Sequence, residues 1–266
     1  MAKKGYREES DSIGIVYVPR KALYGAQTQR AIDNFPISGI KMDFPFTKSF
    51  VSSLGLIKDA AAKANNKLKL LSNKKARAIS KASKEVWQEK HHKEFPIDVF
   101  QTGSGTSSNM NANEVIANLA SIFSGEDVSP NDDVNMSQSS NDVIPTAIKI
   151  SAHMDLSKKL YPNLENLINT IDKKAVSLKG IIKTGRTHLM DATPITLGQE
   201  FSGYESQIIH GLKSLKNTLS HLKELAIGGT AVGTGLNAPL NFDKIVVKNI
   251  SHQTNIDFEP AKNKFE

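Results

Sequence analysis

The chain contains 266 residues, with 34 lysines and arginines against 27 aspartates and glutamates, and it has no cysteine. The absence of cysteine excludes a disulfide scaffold, a thiolate metal site, a cysteine nucleophile and an iron–sulfur centre. The length and the 39% of hydrophobic residues are sufficient for one large domain or two smaller ones with an apolar core.

The net charge of +7 comes almost wholly from lysines that are scattered among acidic residues. Nucleic-acid binders collect their cations in one stripe and prefer arginine for phosphate and base contacts, so we expect a solvated surface and no nucleic-acid partner. No apolar run approaches the roughly 20 residues of a membrane span, and the charged N-terminus lacks a signal-peptide pattern. We therefore expect a cytoplasmic protein without membrane association.

The first 50 residues are predicted to be largely irregular, because turn residues recur through them. One apolar stretch, residues 13–18, is compatible with a short strand. Apolar residues at helical spacing then predict two helices before Pro96, around residues 54–64 and 76–87, and a third over residues 111–123.

From Asn141 onward, the spacing predicts long helices with few interruptions. One apolar seam covers residues 156–178, with Pro162 as a kink or restart, and a second covers residues 208–226. Such seams pack against neighbouring helices, so either copies associate or the sequence continues beyond Glu266.

Three polar segments beside helices contain more hydroxyl and amide groups than a connecting loop requires. In the first, residues 101–111, glycines allow a ligand close to the backbone, and the helix start that follows suits a carboxylate or phosphate. The segment lacks the Gly-Lys-Ser/Thr ending of a nucleotide-binding loop. An ordinary capped helix start explains this segment equally well.

The second segment, residues 131–142, again places short donors at a helix N-terminus, although an inert surface loop is an equal alternative. The third, residues 183–194, contains Thr187 and His188, and an imidazole can donate and accept a proton near neutral pH. A structural histidine is the plainer interpretation of His188 alone. No His-x-x-x-His or paired-acid pattern predicts a metal site. Together the three segments suit a small di- or tricarboxylate and a proton transfer at carbon or oxygen.

In this order, the segments resemble the class II fumarate hydratases of the fumarase/aspartase superfamily. The resemblance is carried by six stretches: residues 23–30, 95–118, 137–142, 185–188, 197–200 and 228–237. It implies a mainly α fold of the fumarase/aspartase type. An N-terminal mixed α domain, residues 1–138, would precede the first part of a truncated long-helix bundle, residues 139–266.

The resemblance also implies reversible hydration of fumarate to malate, without cofactor or metal, by a homotetramer whose active sites combine three subunits. It assigns proton transfer at the hydroxyl oxygen to His188. Donors placed around a carboxylate that gains charge during proton removal stabilise the transition state. The substrate carboxylates are assigned to seven residues: Ser104, Gly105, Thr106, Ser139, Ser140, Asn141 and Thr187.

Two departures from the family pattern limit these expectations. A second anion site of the family matches Ser129, Pro130, Asn131 and Asp132. Acidic residues and Ser129 stand where the family commonly has a basic residue and a histidine, so we expect this site to be weakened or absent. Family members continue past Glu266 into a loop that carries the base serine, so we expect residues 1–266 alone to be inactive. The alternatives are an aspartate ammonia-lyase and a catalytically silent scaffold.

Overall fold

A computed structural model describes residues 4–43 and 47–266; residues 1–3 and 44–46, part of the stretch predicted to be irregular, lie outside the described residues. Within the described ranges the fold is mainly α-helical, as predicted, and no helix is long and apolar enough to cross a membrane. The helices are α1 (Ala26–Asn34), α2 (Lys48–Lys67), α3 (Asn73–Trp87), α4 (Thr106–Ser124), α5 (Ser140–Asp155), α6 (Tyr161–Leu178), α7 (Leu197–Thr218) and α8 (Phe242–Thr254). The strands are β1 (Tyr6–Asp11), β2 (Gly14–Pro19), β3 (Ile182–Thr187), β4 (Met190–Thr196), β5 (Glu224–Leu225) and β6 (Glu259–Pro260).

The chain divides into two compact units. The first comprises Met1–Ser151 together with Lys223–Glu266, and the second comprises Ala152–Leu222. These are units of packing, and the predicted domain boundary between residues 138 and 139 stays a prediction.

The core of the first unit forms around α2, which packs against α3, α4 and α8. Leu54 and Ile57 of α2 are completely buried. A Cβ on Gly55 would lie 2.7 Å from the backbone nitrogen of Trp87, so the close approach of α2 and α3 requires glycine there. The three helices predicted before residue 124 are confirmed as α2, α3 and α4.

The prediction that the first 50 residues are irregular is wrong for two elements. Strand β1 pairs in antiparallel register with β2, the short strand expected from the apolar stretch. Helix α1 also forms here, and its first turn is capped by the Glu114 carboxylate of α4. This carboxylate accepts hydrogen bonds from the backbone nitrogens of Gly25, Gln27 and Thr28 at 2.8, 2.8 and 3.1 Å. Because the cap comes from a distant residue, no local pattern indicates this helix.

In the second unit, α6 and α7 are antiparallel neighbours. Tyr161 Oη at the start of α6 donates to the Leu215 carbonyl near the end of α7, at 3.1 Å. Pro162 lies in the first turn of α6, as a restart requires.

The expectation of long helices with few interruptions is wrong in two places within this stretch. The antiparallel hairpin β3–β4 interrupts the helices, and α7 ends at Thr218, before the end of its predicted seam. The sequence does not predict the hairpin, because its tight turn contains neither glycine nor asparagine, the residues that usually mark such turns.

Candidate active site

The first polar segment forms the loop and first turn at the N-terminal end of α4. Gly105 immediately precedes the helix with φ 68°, a left-handed conformation that glycine adopts without a side-chain clash. A Cβ at this position would also lie 3.1 Å from the Ile144 side chain. Ser104 Oγ and Thr106 Oγ1 are hydrogen-bonded at 2.8 Å. Since Ser104 is exposed and Thr106 only half-buried, both hydroxyl groups are accessible to a ligand.

The second polar segment forms the N-terminal end of α5 and is anchored by Asp142. One carboxylate oxygen accepts from the Ser139 backbone nitrogen, and the other accepts from the Gly228 and Thr230 nitrogens, all at 2.9 Å. Asn141 Nδ2 donates to a carbonyl of the same 228–231 loop at 2.8 Å. The buried Asp142 carboxylate therefore holds the start of α5 in place, while Asn141 remains exposed.

Asn109 brings the first two segments together. It lies one turn into α4, where its backbone nitrogen donates to the Gly105 carbonyl at 3.2 Å. Its side-chain Nδ2 donates to Ser140 Oγ at 2.9 Å and to Asn135 Oδ1 at 3.2 Å. Asn109 therefore links the Gly105 backbone at the start of α4 to the Ser140 hydroxyl at the start of α5, and this hydrogen-bonded framework holds the two helix N-termini together.

A lysine lies under this framework. Lys58 of α2 is completely buried, and its Nζ donates to Asn135 Oδ1 at 2.8 Å and to Gln138 Oε1 at 3.0 Å. Burial lowers the pKa of Lys58 to about 7, although the negative charge of Asp142 acts in the opposite direction. Burial likewise raises the pKa of Asp142, against the effects of its hydrogen bonds and of Lys58.

Three of the four residues of the expected second anion site line a cavity of about 630 Å³, which Thr106 also lines. Ser129 Oγ accepts from the Asp132 nitrogen at 3.1 Å and so caps a π-helical turn, Pro130–Val134. Ser129, Pro130 and Asn131 line the cavity together with acidic side chains: Glu9, Asp11, Glu114 and Asp127. Carboxylates repel an anion, which supports the expectation of a weakened site. That expectation stays a prediction.

Thr187 and His188 lie in the second unit, at the tip of the β3–β4 hairpin. Thr187 pairs with Met190, so His188 and Leu189 form a two-residue turn with φ values of 49° and 62°. Both turn residues are exposed. Left-handed backbone at two residues with side chains is costly, and such strain is often found at functional positions. The roles assigned to Thr187 and His188 stay predictions.

Comparison with known proteins decides the family. The family profile described as lyase matches residues 14–266. The chain belongs to this lyase family. It is 52% identical to the class II fumarate hydratase of Halobacterium salinarum, over 98% of this chain and 56% of that relative. It is also 52% identical to the class II fumarate hydratase of Mycobacterium tuberculosis, over 98% of this chain and 54% of the relative.

Solved structures agree with this assignment. The crystal structure of the class II fumarase of Schistosoma mansoni superposes on the lyase chain with a TM-score of 0.89 and 41% identity, over 98% of this chain and 58% of that one. The predicted resemblance to class II fumarate hydratases is confirmed, as is the fold class. The chain spans little more than half the length of these relatives.

Two residues that support the candidate site were not singled out from the sequence: Lys58, and Asn109, which was included only as part of the 101–111 segment. Lys58 follows Leu54 by four positions and precedes Ala61 by three, so it lies on the apolar face of a helix. A charged residue at that spacing is a signal of a buried functional group. Asn109 is one of several amide and hydroxyl residues in the 101–111 segment, so the sequence does not distinguish it from its neighbours.

Proposed function

We propose that this chain carries the substrate-binding and proton-transfer residues of a fumarate hydratase, which interconverts fumarate and (S)-malate by reversible hydration. The observation that carries the proposal is the 2.9 Å hydrogen bond from Asn109 Nδ2 to Ser140 Oγ, which joins two hydroxyl-rich helix N-termini. The relatives named class II fumarate hydratase support the same conclusion.

Two adjacent helix N-termini suit a dicarboxylate for a physical reason. Each terminus presents unpaired backbone N–H groups and a partial positive charge, which favour a carboxylate. Neutral hydroxyl and amide donors add hydrogen bonds without the strong binding that a cluster of arginines would impose on the ground state. We assign this role to Ser104, Gly105, Thr106, Ser139, Ser140, Asn141 and Thr187.

His188 is proposed to move the proton at the hydroxyl oxygen. During dehydration of malate, the carbon-bound proton passes to a base outside the residues assigned here, and negative charge moves into the adjacent carboxylate. Fixed donors around that carboxylate stabilise this charge more strongly in the transition state than in malate. His188 then donates a proton to the hydroxyl group, which leaves as water, and in hydration it accepts a proton from water.

Fumarate and malate are therefore the proposed small-molecule partners, and further copies of the chain are the proposed protein partner. The expected cytoplasmic location stays a prediction, as does the expected inactivity of residues 1–266 alone.

The proposal is tested with the natural gene product that carries these residues. Purified protein is mixed with fumarate, and hydration is followed by the loss of fumarate's ultraviolet absorbance, with aspartate tested in parallel. We expect His188→Asn to lower kcat/KM by at least about 100-fold, the usual contribution of a proton-transferring group. Because His188 is exposed on a turn, the variant should keep the wild-type unfolding midpoint.

The matched control is His210→Asn, since His210 is an exposed histidine of the same unit, on α7. It should keep wild-type kcat/KM. Turnover of aspartate in place of malate would make the protein an aspartate ammonia-lyase. Turnover of neither substrate would favour a catalytically silent scaffold.

A further inference from the structure

We propose that Lys58 is a positioning residue for the dicarboxylate site: its buried ammonium group fixes the loop and the two helix N-termini that carry the substrate-binding hydroxyl groups. This inference rests on the proposed function. It adds a residue that contacts none of the assigned binding groups directly.

The ammonium group of Lys58 fixes the 134–138 loop through two side-chain amides. Its Nζ donates to Asn135 Oδ1 and Gln138 Oε1 at 2.8 and 3.0 Å. The Gln138 amide nitrogen donates back to two carbonyls of its own loop, those of Val134 and Met136, at 3.1 and 3.0 Å. The oxygen of Gln138 is thereby directed at Lys58, and the loop cannot shift without breaking several hydrogen bonds.

Lys58 is connected to the binding segments through Asn135 and Asn109. Asn135 Oδ1 accepts from both Lys58 Nζ and Asn109 Nδ2, and Asn109 Nδ2 also donates to Ser140 Oγ. Three hydrogen bonds therefore link Lys58 to Ser140, by way of the α4 residue that follows the Ser104–Thr106 turn. Displacing Asn135 would break its hydrogen bond with Asn109, and the two helix N-termini would then be less well aligned.

The charge of Lys58 also favours a role beside a bound dianion. Among the residues that the structure describes, Lys58 forms no salt bridge, and its hydrogen-bond acceptors are neutral amides. Asp142 is the charged group that acts on it, but that carboxylate accepts its own hydrogen bonds from backbone nitrogens. A buried cation without an ionised contact is costly, whereas methionine would fill the same space without that cost. A dianion bound at the neighbouring N-termini would supply the missing negative charge.

The test compares Lys58→Met with Lys67→Met in the natural gene product. Lys67 is on the same helix, at its last residue, and is exposed. We expect Lys58→Met to raise the Kd for succinate, a non-reacting dicarboxylate, and the KM for malate by about tenfold, the effect of losing a hydrogen bond to a charged group. Lys67→Met should leave both constants unchanged.

A double-mutant cycle separates positioning from a general loss of stability. Ser140→Ala should raise the succinate Kd in the wild-type background and have little further effect in the Lys58→Met background, because the same framework is already released. A merely structural lysine would give additive effects. Amide hydrogen exchange without ligand should also quicken about tenfold over residues 135–140 in Lys58→Met, and not in Lys67→Met.

Several results would overturn the inference. A folded Lys58→Met protein with wild-type succinate affinity and unchanged exchange over residues 135–140 would do so, and so would additive effects in the cycle. If Lys58→Met does not fold, Gln138→Met replaces it. Gln138 is only half-buried, and its substitution removes one of the two hydrogen-bond acceptors of Lys58 Nζ. Wild-type protein that binds succinate but does not hydrate fumarate would contradict the proposed function alone. Wild-type protein that neither binds succinate nor hydrates fumarate would contradict both the proposed function and the role of Lys58.

Discussion

At the scale of single residues, the Asp98 carboxylate fixes a turn through four hydrogen bonds. It is 6% exposed and accepts hydrogen bonds from Ser38 N, Ser38 Oγ, Gly39 N and Phe100 N, at 2.7 to 2.9 Å. Burial alone would raise the pKa of Asp98, but these donors stabilise the ionised form and hold the pKa at about 2.

The lowered pKa makes stability depend on pH in a defined direction. An aspartate in the unfolded chain has a pKa of about 4, so between about pH 4 and pH 2 the unfolded state binds more protons than the folded one. The contribution of Asp98 is therefore complete above about pH 4 and is lost as the pH falls to about 2. We expect Asp98→Asn to lower the urea midpoint at neutral pH, with the difference from wild type shrinking through that window.

The control for this measurement is Asp33→Asn, because Asp33 is an exposed aspartate of the same unit. Its urea midpoint should follow that of the wild-type protein at every pH. An Asp98→Asn midpoint equal to the wild-type midpoint at neutral pH would contradict the argument from hydrogen bonding.

At the scale of elements, the β3–β4 hairpin contains strain that one substitution should relieve. Leu189 has φ 62° and is fully exposed, so it has little packing to lose. Glycine adopts left-handed backbone without the steric cost of a side chain, which is about 1 kcal/mol. We expect Leu189→Gly to slow amide exchange in β3 and β4 and to raise the free energy of opening the hairpin by roughly 1 kcal/mol, partly offset by glycine's greater freedom when unfolded.

The adjacent Met190 provides the matched control. It is 70% exposed but lies in an extended strand paired with Thr187, where glycine brings no relief of strain. Met190→Gly should therefore quicken exchange in the same amides. Faster exchange in Leu189→Gly as well would mean that the left-handed turn stores no strain.

The elements also show what the sequence could and could not predict. Helices α2, α3 and α4 were predicted because their apolar residues recur at helical spacing over several turns. Helix α1 depends instead on Glu114, which is distant in sequence, and the hairpin depends on backbone conformations that His188 and Leu189 do not favour. Local pattern carries no information about either contribution.

The candidate site was likewise predicted only in part. The polar segments were visible because hydroxyl and amide groups cluster at predicted helix starts. Their arrangement was not, because Asn109 and Lys58 act through hydrogen bonds to residues 31 and 77 positions away. The supporting role of these two residues follows only from the folded structure.

At the scale of the whole molecule, the second unit leaves large apolar side chains exposed on both of its long helices. Leu167 and Val176 of α6 are 43% and 61% exposed, and Tyr204 and Ile209 of α7 are 46% and 42% exposed. Single exposed apolar residues are ordinary, but several on one pair of helices are typical of an association surface. We expect the natural gene product to form homo-oligomers through this unit.

Substitution of Ile209 by glutamate tests that expectation. A charge buried at an interface without a partner strongly disfavours association, whereas the same charge on a solvated helix face costs little. Ile209→Glu should therefore sediment as a smaller species than wild type while keeping its helical circular dichroism. Gln207→Glu adds the same charge at an exposed polar position of α7 and should sediment as wild type does. If Ile209→Glu keeps the wild-type mass, the exposed face of α7 around Ile209 is a solvated surface and copies must associate elsewhere.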